Sequence, residues 1–75
     1  CREHIIMKVG NGPASRQPVI EIANLFRAKV VNVAESRLML ELTGEPEKID
    51  SFIGLLQPYG VKEIVRTGIS ALERD

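Results

Sequence analysis

Apolar residues recur with the period of an amphipathic helix in two segments of the chain. Both segments follow the spacing i, i+3, i+4, i+7, which is typical of a helix with one apolar face. The pattern predicts a first helix that ends at about Arg27 and a second that begins at Glu45 and ends near Gln57. The apolar positions are Val19, Ile22, Ala23 and Phe26 in the first helix, and Ile49, Phe52, Ile53 and Leu56 in the second.

Four further segments have the period or the composition of β-strands. His4–Val9 and Arg37–Thr43 alternate between apolar and polar residues, whereas Lys29–Ala34 and Val61–Thr67 are rich in β-branched residues. The predicted order of elements is therefore β-α-β-β-α-β. Because both β-α-β crossovers are expected to be right-handed, the sequence predicts an α+β, ferredoxin-like fold, with a four-stranded antiparallel sheet and two helices on one face.

Local signals mark the ends of these elements. Ser15 is predicted to cap the first helix, and Gly60 is predicted to take a left-handed conformation before the last strand. Residues 35–36 are predicted to form a tight connection between the second and third strands. In the tail, Ile69 and Leu72 are expected either to dock on the domain or to fray.

The face of the sheet opposite the helices has no predicted cover within the chain. Burial of one apolar side chain is worth about 1.5–3 kcal/mol, so the three or four on this face are enough for a modest protein interface. The alternative is an ordinary solvated face with scattered apolar residues. Arg66, at the end of the last strand, is the charged residue predicted to contact a partner, and the alternative is a solvated side chain. The candidate interface residues are Ile6, Val30, Met39, Val65 and Arg66.

Composition is that of one small domain, residues 1–75. Ten basic and ten acidic residues balance, which argues against nucleic acid and against an anionic membrane surface as partners. Cys1 is the only cysteine, so an internal disulfide is excluded and a reducing compartment is expected. The sequence does not begin with Met, and we expect a longer parent protein with a further domain upstream.

Several activities use folds of this shape, and each requires particular residues. RNA binders stack bases on aromatic residues of the central strands, but His4–Val9 and Arg37–Thr43 contain none. Metallochaperones carry two cysteines in the first loop, which here reads GNGPASR. Arg16 and Asn32 resemble the Arg and Asn of an acyl-phosphate hydrolase, but the loop lacks the rest of that pattern, so this enzyme ranks third among the functions considered.

The remaining polar residues have structural explanations. His4 has no carboxylate or thiol at ligand spacing and is interpreted as a surface residue of a strand. Glu45, Glu47 and Asp50 lie at the start of a helix, where acidic side chains stabilise the helix dipole. Ser15 has no partner that would make it a nucleophile. The sequence therefore predicts no catalytic, cofactor-binding or metal-binding residue.

Two long segments carry information that is more specific than a fold class. They read IANLFRAKVVNVAESRLMLELTGEPEKID and LLQPYGVKEIVRTG, after the opening REHIIMKV. The chain resembles the C-terminal domain of the small, regulatory subunit of acetolactate synthase, which combines a helix ending in F-R-A-K, a strand ending in E-x-T-G and a closing R-P-Y-G-I-K-E-I-x-R-T-G. The departures are Gln57 where Arg is common, Asn32 where Asp is common, and a long first loop at residues 10–14.

The resemblance implies a regulatory protein rather than an enzyme. Members of this family bind the catalytic large subunit, raise its activity, confer feedback inhibition by valine or other branched-chain amino acids, and work as dimers. Thiamine diphosphate, FAD and Mg²⁺ are expected only on the catalytic subunit. The effector site belongs mainly to an N-terminal ACT domain, so no effector-binding residue is assigned to this chain.

The expected location is a bacterial cytoplasm, or a plastid if the source is a plant. An alternative function of a different class is a free-standing ferredoxin-like sensor that binds an amino acid or a metal between two protomers. An ACT-like segment upstream in the parent protein would favour the regulatory subunit, and its absence would favour the sensor.

Overall fold

The computed structural model describes residues 2–10, 12–34 and 36–68. Cys1, Glu35 and the tail residues Ile69 and Leu72 lie outside these ranges, and so do the expectations attached to them. The described residues form the predicted order of elements, with a 3₁₀ turn added after the second helix. The elements are β1 (Glu3–Gly10), α1 (Arg16–Phe26), β2 (Lys29–Ala34), β3 (Arg37–Gly44), α2 (Pro46–Leu56), the 3₁₀ turn (Gln57–Tyr59) and β4 (Val61–Gly68).

The four strands form one antiparallel sheet in the order β2-β3-β1-β4. β1 occupies a central position, since Ile5 lies opposite Leu42 of β3 on one side and opposite Arg66 of β4 on the other. Each of the two crossover connections therefore contains a helix that packs on the sheet, as two β-α-β units require. The predicted ferredoxin-like fold is confirmed.

The core lies between the sheet and the two helices. Alternate residues of β1 and β3 point into it, and the helical stripes cover them from above. Phe26 of α1 and Phe52 of α2 meet at a ring-centroid distance of 5.2 Å, which joins the two helices. The fully buried apolar residues of the sheet and helices include Ile5, Met7, Val9, Leu38, Leu40, Val19, Ala23, Ile49, Phe52 and Leu56.

The start of α1 differs from the prediction in its capping. Ser15 does precede the helix, but its side chain makes no capping hydrogen bond. Its backbone has φ −96° and ψ −25°, which is helical, whereas a capping serine takes an extended conformation. Ser15 therefore occupies the predicted N-cap position without capping through its side chain, because the chain is already turning there: the amides of Ser15 and Arg16 both donate to the carbonyl of Gly12.

Two residues with positive φ end the helical segments. Gly60 has φ 84°, as predicted, and allows the chain to pass from the 3₁₀ turn into β4. Arg27 has φ 61°, a left-handed conformation that the sequence did not predict for an arginine. It ends α1, with the amide of Ala28 donating to the carbonyl of Ala23 at 2.8 Å.

Candidate functional site

The candidate site is the face of the sheet that the helices leave uncovered, which we call the bare face. On β1 and β3 it carries the residues that alternate with the buried ones, and no described element packs against them. Most of these side chains are half-buried by their neighbours in the sheet rather than by a second layer, and Arg37 is exposed. The bare face consists of His4, Ile6 and Lys8 of β1 and Arg37, Met39, Glu41 and Thr43 of β3, together with residues of β2 and β4.

The residue that β2 contributes differs from the prediction. Val30 lies opposite Leu40 and packs against the core, so the prediction that it belongs to the bare face is wrong. Val31 lies opposite Met39 and takes its place. Sequence reasoning missed this because two adjacent valines show no alternation, and a shift of one residue moves every side chain to the other face. Asn32 of β2 lies opposite the core residue Leu38.

On β4, Val65 lies on the bare face, as predicted. It is opposite Ile6 of β1 and 51% exposed. Ile64 lies opposite the buried Met7 and so faces the helical side. The strand pattern was ambiguous in sequence because the register shifts between Lys8 and Val9, which leaves Lys62 as an extra residue in β4.

The apolar residues of the bare face form a continuous diagonal line across all four strands. Val31 is opposite Met39, and Ile6 is opposite Val65. Met39 and Ile6 are diagonal neighbours, because Met39 is opposite Lys8, two residues along β1 from Ile6. Diagonal neighbours lie about 7–8 Å apart, within reach of long side chains. We call these four residues the apolar stripe.

Charged residues flank the apolar stripe on both sides. On one side Lys8 Nζ lies 3.4 Å from Glu63 Oε1. On the other side His4 Nε2 lies 2.8 Å from Glu41 Oε2, and Lys29 of β2 is opposite Glu41. The bare face therefore has the composition of a small protein interface, in which an apolar centre is bordered by polar residues.

Arg66 lies on the opposite side of the sheet from the apolar stripe. It is opposite the buried Ile5, and its guanidinium bonds within the chain: Nε donates to Glu3 at 2.7 Å and Nη1 donates to Asp50 of α2 at 2.8 Å. The hydrogen bonds to Asp50 and then to Glu3 raise the pKa of Arg66 above its ordinary value. Arg66 thus joins β4 to β1 and α2, and its contact with a partner stays a prediction.

The other polar residues considered in the sequence lie in ordinary places. His4 is engaged with Glu41, and Asp50 with Arg66. Across residues 2–10, 12–34 and 36–68, no three His, Cys, Asp or Glu side chains are grouped in a way that could hold a metal ion. None of the helices in these ranges has the length and apolarity that crossing a membrane requires.

An α+β domain whose antiparallel sheet is covered by two helices on one face and open on the other defines a ferredoxin-like module. The sequence profile of one protein family, described as the small subunit of acetolactate synthase, matches residues 2–75. The chain belongs to this family, and the resemblance drawn from its motifs is confirmed.

Individual relatives agree with this assignment. The chain is 44% identical over 73 residues to the acetolactate synthase small subunit of Bacillus subtilis, covering 97% of this chain and 42% of that protein. It is 42% identical to the small subunit of Mycolicibacterium smegmatis over 73 residues, covering 97% and 43%. The chain thus spans about two fifths of the length of these relatives.

A solved structure has the same fold. The crystal structure of the acetolactate synthase small subunit from Thermotoga maritima superposes with a TM-score of 0.81 at 34% sequence identity. The superposition covers 89% of this chain and 41% of that one.

Proposed function

We propose that this chain acts as part of a non-catalytic regulatory subunit that binds the catalytic large subunit of acetolactate synthase. It would support activation and feedback control of that enzyme in the synthesis of branched-chain amino acids. The observation that carries the proposal is the family match over residues 2–75, together with relatives that are named small subunits. The chain spans only about two fifths of those relatives. The effector site would belong mainly to an ACT domain of the same subunit, so we propose no effector-binding residue in this chain.

The chemistry of the enzyme would belong to the partner. Thiamine diphosphate, FAD and Mg²⁺ would be bound by the catalytic subunit, and this chain would contribute only contacts. The expected location is a bacterial cytoplasm, which agrees with the bacterial origin of the relatives compared above, or a plastid if the source is a plant.

We further propose that the bare face joins two copies of the chain. The apolar stripe supplies apolar surface that an interface would bury. The flanking charges would contribute specificity rather than large affinity. A small domain also gains from a second layer on the exposed side of its sheet. The regulatory subunit would then present two copies of this domain as one rigid unit.

The proposed function is tested by mixing this chain with the catalytic large subunit from the same organism and following both by size-exclusion chromatography. The chain is expected to co-elute with the large subunit. Leu25 is 76% exposed on α1, on the helical side of the molecule, so Leu25→Asp serves as a folded control for variants of the bare face.

Three results would be informative in this experiment. Co-elution of the wild type with the large subunit supports the proposal. Loss of co-elution in Met39→Asp but not in Leu25→Asp would assign the contact to the bare face, or to the dimer that the bare face forms. Separate elution of the wild-type chain and the large subunit, at concentrations of tens of micromolar, would contradict direct binding by this part of the subunit.

A further inference from the structure

A cleft with an unusual concentration of positive charge lies at the edge of the sheet, outside the apolar stripe. It is formed where β3 continues past the start of β2, since the pairing of these strands begins at Lys29 and Glu41 and leaves residues 42–44 without a partner in β2. Its volume is about 390 Å³, which falls in the range of about 300–1,000 Å³ typical of small-molecule sites. We call it the edge cleft.

Three cations line the edge cleft. Arg27 follows α1, Lys29 begins β2, and Lys48 lies in the first turn of α2. None of them forms an ion pair with a described residue. The acidic group in the lining is Glu41, whose carboxylate is already engaged by His4 at 2.8 Å. The edge cleft therefore carries an excess of positive charge, although the chain as a whole has none.

Arg27 holds its place at a conformational cost. Its φ of 61° and ψ of 37° are left-handed, a region that glycine adopts freely and other residues rarely do. Glycine or asparagine is the usual residue where a helix ends in this way. An arginine at this position gives up backbone stability, and its side chain lines the edge cleft.

Lys48 is placed against a second local preference. The N-terminal end of a helix carries partial positive charge, so a cation in the first turn is unfavourable. The side chain passes close to the backbone of β3: a Cβ atom added to Gly44 would lie 3.0 Å from Cδ of Lys48. The stem of Lys48 thus lies over the buried Gly44, and Lys48 contributes to the lining of the edge cleft.

We propose that the edge cleft binds a small metabolite that carries two negative charges, as a phosphate group or as a pair of carboxylates. Arg27 offers a planar fork of donors that matches either group, and Lys48 adds a point charge. Thr43 supplies a hydroxyl donor, while Phe26 and Leu42 give the carbon part of the ligand an apolar wall. A bound anion would offset the positive charge that these side chains bring to the edge cleft.

The test is calorimetric titration of the chain with sodium pyrophosphate and, separately, with sodium malonate at low ionic strength. The variants are Arg27→Gly and Lys48→Gln, and the control is Lys62→Gln, an exposed lysine of β4 at the other edge of the sheet. Each test variant is expected to bind about tenfold more weakly or worse, the scale of one lost charge-assisted hydrogen bond. The control is expected to bind like the wild type, and added NaCl is expected to weaken binding.

Arg27→Gly separates a binding role from a structural one. Because glycine suits the left-handed conformation, this variant is expected to melt at the same temperature as the wild type or higher. Its affinity for the anion is expected to fall. Tighter binding of pyrophosphate supports a phosphate ligand, and tighter binding of malonate supports a dicarboxylate. Absence of heat with both anions, or equal binding by the wild type and both test variants, would overturn the proposal. Tighter binding of a hexaglutamate peptide than of either small anion would reassign the edge cleft to an acidic protein partner.

Discussion

Two glycines illustrate how backbone conformation, rather than contact, decides the role of single residues in this chain. A Cβ added to either Gly54 or Gly60 would meet no atom within 4 Å. Gly54 lies inside α2 on an exposed surface, whereas Gly60 has φ 84° between the 3₁₀ turn and β4. The two positions therefore share an open surrounding and differ in backbone conformation.

Alanine substitution at these two glycines is expected to have opposite effects on stability. Gly54→Ala should raise the free energy of unfolding by about 1 kcal/mol, because alanine has the higher helix propensity. Gly60→Ala should lower it by about 1–2 kcal/mol, because a left-handed conformation brings Cβ too close to the following carbonyl. Urea denaturation, monitored by circular dichroism, measures the free energy of unfolding of both variants. Equal effects at the two positions would mean that the turn at Gly60 can rearrange to a negative φ.

The four strands differ in whether their own sequence or their neighbours decide which side chains face the core. β1 and β3 alternate so regularly that their buried and exposed sides follow from sequence alone, and the structure agrees. β2 and β4 lie at the edges, and each pairs with one neighbour only. Their registers shift, at Asn32 to Ala34 in one pair and at Lys8 to Val9 in the other. Their orientation is thus set by pairing with the central strands.

Adjacent valines in β2 provide a matched test of this register. Val30→Asp is expected to lower the free energy of unfolding by about 1–3 kcal/mol, because it places a charge against the core. Val31→Asp lies on the bare face. It is expected to change the free energy of unfolding by about 0.5 kcal/mol or less while weakening self-association. Urea denaturation at low protein concentration compares the two variants. The opposite order of effects would mean that β2 pairs with β3 one residue out of the register described here.

At the scale of the whole molecule, the bare face is the surface on which a second copy would pack. A twofold axis that runs along the apolar stripe brings one stripe onto the other. In that arrangement Lys8 of each copy faces Glu41 of the other copy, because these two residues lie on opposite sides of the stripe on neighbouring strands. An axis across the stripe would instead place Lys8 against Lys8. The charges therefore favour the first arrangement.

Self-association is expected to depend on both the stripe and these charges. Sedimentation velocity at tens of micromolar should show a dimer for the wild type and for Leu25→Asp, and mainly monomer for Met39→Asp. Lys8→Glu and Glu41→Lys should each weaken the dimer, since each places like charges face to face, but an equimolar mixture of the two should restore it as a heterodimer.

The mixture is what distinguishes the two axes. Recovery of a heterodimer supports the axis along the stripe, whereas failure to recover it contradicts that arrangement. A wild type that sediments only as an 8 kDa species would contradict self-association through the bare face, and unfolding of Met39→Asp would mean that Met39 belongs to the core.

The sequence by itself determined the order of elements, the helical stripes, the central strands and the family, because each of these depends on periodicity or on residues close together in the chain. It also placed Ile6, Met39 and Val65 on the bare face, although their role in an interface stays a prediction. Only the tertiary structure decided that Val30 packs inward and that Arg66 bonds to Glu3 and Asp50. It also brought Arg27, Lys29 and Lys48 together at one cleft. These features join residues far apart in sequence through strand register and chain reversal, which no local pattern specifies.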